Sequence, residues 1–212
     1  VLFNTMLTIL LGILGGIVSS LIVSRVFFIH GEYRNQLKTM DHVIRKLGLI
    51  SGFIQSIKII YKVDYDQDIT MKEEMREKGY KSDMDYYRAH SDKRWISTDG
   101  VLHTIKTRID EASNSLISEL SGICIDNKQL NTLLNSITAH LHEITSVKKY
   151  TFDCIEKFEQ TEQTLINQYE DCTHASGKTV LKMLLKDRFM IVMYCAIAVI
   201  IAGVIITGIF GI

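Results

Sequence analysis

Apolar and polar positions are sorted into blocks along this chain. Val1 to Ser24 reads VLFNTMLTILLGILGGIVSSLIVS, and Met190 to Ile212 reads MIVMYCAIAVIIAGVIITGIFGI; neither stretch holds an ionisable side chain. Both are apolar on every side, the pattern of a helix with no water-facing edge. At about 1.5 Å per residue, some 23 or 24 residues reach roughly 35 Å, enough to cross a hydrocarbon core of about 30 Å. The pattern predicts two transmembrane helices, one within residues 1–29 and one over 190–212. A secretory signal peptide needs a basic start and a shorter apolar core. Here the basic residues follow the run, which favours a true span.

Between the spans the pattern becomes one-sided, and from His30 to Tyr61 it stays helical, continuing the first span straight into the cytoplasm. Leu37, Met40, Ile44, Leu47, Ile54 and Tyr61 fall on one stripe, widened by Val43, Ile50 and Ile57. Leu102, Ile105, Ile109, Ala112, Leu116 and Ile123 form a second amphipathic helix, followed by a break near Gly122 to Asn127. The strongest pattern runs Leu130, Leu134, Ile137, Leu141, Ile144, Lys148, Thr151, Ile155, Phe158, Glu162, Leu165 and Tyr169. Steps of four and three are the heptad signature of a coiled-coil seam, with Lys148, Thr151 and Glu162 as polar members. A loosening is expected at His174 to Gly177, ahead of the second span.

Val63 to Gly100 breaks this regularity. It is charged and rich in tyrosine, and it reads as a tip carried by a helical stalk. Thr70 with Glu73 looks like a capping box opening a short helix; a second helix is expected after Ser82, and Ser97 to Gly100 marks a turn. The fold class is therefore all-α: N- and C-terminal transmembrane helices flanking an antiparallel, coiled-coil-like cytoplasmic domain over 30–189, with its tip at 63–100. Proline is absent from the chain, which suits long helices.

Charge sets the orientation. Arg25, Arg34 and Lys38 follow the first span, while Lys178, Lys182, Lys186 and Arg188 precede the second. Basic flanks stay in the cytoplasm. The middle domain is thus expected on the cytoplasmic side of the inner (plasma) membrane, with both termini outside. The 24 basic and 24 acidic residues cancel, so no overall field draws the chain to nucleic acid.

Small residues recur every four positions at Gly12, Gly16 and Ser20, at Gly203, Thr207 and Gly211, and at Gly48 and Gly52. Such stripes let backbones approach closely, so these are the candidate helix-packing positions. The approaching helix is either the other span or another copy of the chain, and a homo- or hetero-oligomer is expected.

Motifs for chemistry are incomplete. Gly177-Lys178-Thr179 has Cys172 where a phosphate-binding loop needs glycine. Asp64, Asp66 and Asp68 alternate as in a calcium loop, but Ile69 and Met75 replace its glycine and bidentate glutamate. His140 and His142 lie two apart and point to different helix faces. The cysteines Cys124, Cys154, Cys172 and Cys195 form no C-x-x-C pair and read as small apolar residues on helix faces. No catalytic residue, metal site or cofactor is expected. Tyr65, Tyr80, Tyr86, Tyr87, Arg88, Arg94 and Trp95 are the partner-binding candidates, because aromatic and arginine side chains dominate protein contacts; the alternative for this segment is a small satellite core with a solvated charged face. Their equal load of Asp and Glu argues against a phosphate track, so nucleic acid enters only as part of a complex.

In layout, the whole chain resembles the small two-span proteins that serve as effectors in bacterial anti-phage systems, including retron systems. That resemblance implies a non-enzymatic membrane effector, held by a cytoplasmic partner and released to damage the bilayer. A membrane-tethering scaffold, or accessory subunit of a larger complex, is the alternative.

Overall fold

The computed structural model describes residues 2–90 and 98–210. Among these, all regular structure is α-helix: α1 (Leu2–Lys78), α2 (Asp83–Ala89), α3 (Thr98–Leu120), α4 (Lys128–Ser146), α5 (Phe152–His174), α6 (Ser176–Lys186) and α7 (Arg188–Phe210). The chain divides into two compact units, one made of Val1–Thr39 with Glu170–Ile212, the other of Met40–Tyr169.

The Met40–Tyr169 unit is built on one-sided helices. Along α1, Met40, Val43, Leu47, Ile50, Ile54 and Ile57 are all buried. Their steps of three and four residues keep a straight seam on a helix of 3.6 residues per turn. The α3 face contributes Ile109, Ser113, Leu116 and Leu120; α4 contributes Leu130, Leu133, Leu134, Ile137, Leu141 and Ile144; α5 contributes Ile155, Phe158, Glu162 and Leu165. Helices α3 and α4 pack directly on each other, as antiparallel neighbours joined by a short loop do. Asn127 caps α4, its side-chain oxygen accepting from Gln129 N at 2.9 Å and Leu130 N at 3.1 Å. Polar ties frame the seam: Lys58 Nζ reaches Glu159 at 2.8 Å, Tyr61 Oη donates to the Tyr150 carbonyl at 3.0 Å, and Lys46 meets Glu119.

In the other unit, Ile29, Tyr33, Thr179, Val180, Leu184 and Met190 are buried. Tyr33 Oη donates to the Cys172 carbonyl at 3.1 Å, joining α1 to the end of α5. Most of the remaining apolar surface in this unit faces outward.

Several expectations need correction. The N-terminal apolar run continues straight into the helix that follows it, and that helix, α1, runs unbroken to Lys78 rather than ending near Tyr61. No proline interrupts it, and only Gly79, at φ 71°, stops it. There Tyr80 N bonds to the Met75 carbonyl at 3.0 Å, the 6→1 closure of a Schellman cap. Thr70 is therefore not a helix cap; it sits inside α1 and its hydroxyl donates to the Asp66 carbonyl at 2.8 Å. Ser82 does cap α2, accepting from Asp85 N at 3.3 Å.

The heptad run from Leu130 to Tyr169 is two helices rather than one. Val147 is extended and ends α4, and Thr151 opens α5 by accepting from Cys154 N at 3.3 Å. Lys148 and Thr151 are exposed in this linker and are not seam residues, while Tyr150 turns inward and is buried. A linker that preserves the phase of the apolar steps leaves no trace in periodicity. Ile123 and Cys124 fall in the α3–α4 loop, not on a helix face, and Thr98 to Gly100 already belong to α3. Ser97 lies outside the described residues. The loosening near His174 is a single residue, Ala175, and the larger interruption before the second apolar helix is Asp187.

Candidate functional site: two apolar helices and their polar boundary

Among the described residues, two helices are long and apolar enough to cross a membrane, the stretch from Ile9 in α1 and Arg188–Ile205 in α7. Their apolar windows are 0% and 6% buried. Ile9 and Ile13 are each 58% exposed, and Val199 is 72% exposed. A core helix of equal apolarity would show the opposite burial, since folding removes such side chains from water.

At the inner edge of this surface sits a charged clasp. Arg25 Nη2 donates to Asp187 Oδ2 at 2.6 Å and its Nε to Oδ1 at 3.3 Å, a two-pronged pairing of planar guanidinium and carboxylate. Asp187 Oδ1 also accepts from Met190 N at 3.0 Å, so one carboxylate caps α7 and anchors α1. The Arg25 guanidinium lies 4.9 Å from the centre of the Phe28 ring, within cation–π range. The exposed, mostly apolar recess beside it is lined by Leu21, Ser24, Arg25, Phe28 and Phe189. Asp187 is not among the residues that motif or periodicity singles out in the sequence. Its signal was a lone acid directly before an apolar helix, the position an N-cap favours.

The small-residue positions take their places on these helices. Gly12, Gly16, Gly48 and Gly52 lie on α1, and a Cβ added at any of them would meet nothing within 4 Å. Ser20 is exposed on the same helix; Gly203 is half-exposed on α7, Thr207 lies near the end of α7, and Gly211 falls outside the described residues.

At the tip, the tyrosines part company. Tyr86 is buried and donates to Glu74 Oε2 at 2.7 Å, which pushes its pKa up to about 12. His90 stacks on it at 4.3 Å, and Tyr80 meets it edge-on at 5.5 Å. These side chains form a small satellite core that closes α2 against the end of α1. Tyr65 at 63% and Tyr87 at 41% exposure remain on the surface, with Arg88 also exposed. Arg94 and Trp95 lie outside the described residues.

Within the Met40–Tyr169 unit, His140 and Glu162 are buried with Nε2 and Oε1 3.8 Å apart. His140 Nδ1 and Nε2, Glu162 Oε1 and Ser113 Oγ make no hydrogen bond among the described residues. A Phe158 ring stands edge-on to His140 at 5.5 Å, so the pair sits in apolar surroundings. Burial pushes the Tyr150 hydroxyl pKa up as well. No group of three or more His, Cys, Asp or Glu able to hold a metal occurs among the described residues. Compared with family models, curated proteins and solved structures, the chain matches none.

Proposed function

We propose that the chain is a non-enzymatic integral membrane protein of the inner (plasma) membrane. Its two apolar helices sit in the bilayer, and its central helices lie on the cytoplasmic side, with both termini outside. The observation that carries this reading is the pair of apolar helices whose outward faces the chain leaves uncovered. Lipid is the solvent that accepts such faces. Arg25, Arg34 and Lys38 follow the first apolar run, and Lys178, Lys182, Lys186 and Arg188 precede the second, which supports this orientation.

In this reading the spans associate with further copies through the glycine notches at Gly12 and Gly16, and the assembly perturbs the bilayer when a cytoplasmic partner releases it. That is the behaviour of an effector of a bacterial defence system. Induction of the intact chain in cells, with and without a triggering phage, tests it through membrane potential and dye entry. Depolarisation in the triggered cells is expected; an unchanged potential in both contexts contradicts the effector reading.

Exposed Tyr65 on α1, and exposed Tyr87 and Arg88 on α2, favour a second reading, a scaffold that tethers a soluble complex through its tip. Deleting residues 63–100 then frees a co-purifying partner while the spans stay inserted. Absence of any partner before the deletion removes this alternative.

A further inference from the structure

We infer that α6 is a recognition element for anionic phospholipid, docking on the headgroup layer of the leaflet that faces the central domain. This rests on the membrane reading above and adds to it a specific lipid chemistry.

The argument starts from three faces of one short helix. Thr179, Val180 and Leu184 are buried, and they fix how α6 is turned. With that face settled, Leu181 and Leu185 stand 57% and 58% exposed one turn apart. Lys178, Lys182 and Lys186 are exposed on the neighbouring stripe, again one turn apart. At about 100° per residue, the leucine and lysine stripes adjoin, and together they fill the outward side of the helix. On a helix surrounded by water, two large leucines in register would leave an apolar stripe uncovered beside the charges. A lipid-immersed helix would not carry three lysines. A helix at the boundary carries both, apolar side chains turned to the acyl region and ammonium groups turned to phosphates.

Charge and position select the occupant. No acidic residue occurs between Asp171 and Asp187, and Asp187 is engaged by Arg25. Arg188, also exposed, adds a further cation at the first residue of α7, and Phe189 beside it, 39% exposed, adds apolar surface. The clasp at Arg25 and Asp187 marks where the apolar helices begin, and α6 ends one residue before it. Its lysines therefore stand at headgroup depth, where each strengthens attraction to an anionic surface about fivefold.

The test uses the full chain with Cys124, Cys154, Cys172 and Cys195 replaced by serine and one reporter cysteine added, Leu181→Cys, Leu185→Cys or Val199→Cys. Each variant carries a fluorophore and is reconstituted in phosphatidylcholine vesicles with or without phosphatidylglycerol, containing a lipid with a nitroxide near the headgroup. Probes at 181 and 185 should be quenched severalfold more in the anionic vesicles. Lys178→Gln, Lys182→Gln and Lys186→Gln together should weaken that docking about a hundredfold and remove the difference. Equal quenching in both vesicles, insensitivity to the glutamine substitutions, or water accessibility in both overturns the proposal. So does probe–probe contact between copies at 181 or 185 in place of lipid quenching. The probe at 199 separates the two levels: protected from aqueous quencher in both vesicles, it leaves the span reading intact whatever α6 does; open to water, it removes the span reading and this inference with it.

Discussion

Two stretches of α1 are made of the same residues and meet opposite fates. Around Ile9, Ile13 and Ile17 the isoleucines are exposed; around Ile50, Ile54 and Ile57 they are 1% exposed. Apolarity alone does not separate them. The first stretch is apolar on all sides, so no single partner helix can cover it. The second buries the apolar residues that recur at steps of three and four while Leu49 and Ile59 stay exposed, and α3 and α5 of the same chain come against it through Glu119 and Glu159. The distribution of apolar positions around the helix, rather than their number, tells which solvent each stretch needs.

That contrast can be broken in order of effect. Phe158→Ala removes the ring that packs on both His140 and Tyr150, and it should cost about 3–5 kcal/mol. Ile54→Ala in the seam should cost about 2–5 kcal/mol, whereas Ile13→Ala should leave the urea midpoint within about 0.5 kcal/mol. Urea unfolding of the full chain in mild detergent, followed by circular dichroism, measures all three. Equal losses at positions 13 and 54 would erase the distinction between the two stretches.

The buried pair sharpens the same point from the polar side. Replacing His140 and Glu162 together by leucine should be neutral or stabilise by about 1–4 kcal/mol, because neither side chain recovers its lost hydration with a hydrogen bond. Replacing Glu162 alone should give less, since the unsatisfied imidazole stays behind. A large loss in the double variant would mean that the pair holds the α4–α5 packing together. Asn127→Ala, which strips two backbone N–H groups of their acceptor at the start of α4, should cost about 0.5–2 kcal/mol.

The smallest effect is a pH dependence. The hydrogen bond from Lys46 holds the Glu119 carboxyl below its ordinary 4.5, with His42 assisting. A carboxyl depressed in the folded state contributes stability above its unfolded pKa and loses it as pH falls through the folded value. Acid titration of the urea midpoint should therefore show a shallow loss below 4.5 that Lys46→Ala reduces, His42 keeping the remainder. A loss of the same size in that variant would assign the acid limb to other carboxylates.

Much of the architecture was legible because burial writes itself as periodicity. Met40, Leu47, Ile54, Leu130, Ile137, Leu141, Ile155 and Leu165 all take the buried places their spacing implies. The break at Val147 to Thr151 was not legible, since Ile144, Lys148, Thr151 and Ile155 keep the four-three-four phase across it. The end of α1 was misplaced for a related reason: a charged helix with weak periodicity looks like a loop, and Gly79 was the only stop signal. Candidate sites fared differently again. Tyr86 goes to the satellite core that was the alternative to partner binding: His90, one helical turn on, is within reach of the pattern, whereas its contact with Glu74 of α1 is shown only by the fold. Asp187 went unseen because the basic residues around it drew the reading toward orientation.

The central claim is that lipid is the solvent for the outward faces of the N-terminal stretch of α1 and of α7. Alkaline carbonate washing of native membranes tests it most directly, because it strips peripheral proteins and leaves spanning ones. The account predicts that the full chain stays with the lipid pellet. Release of the intact chain into the supernatant would contradict it.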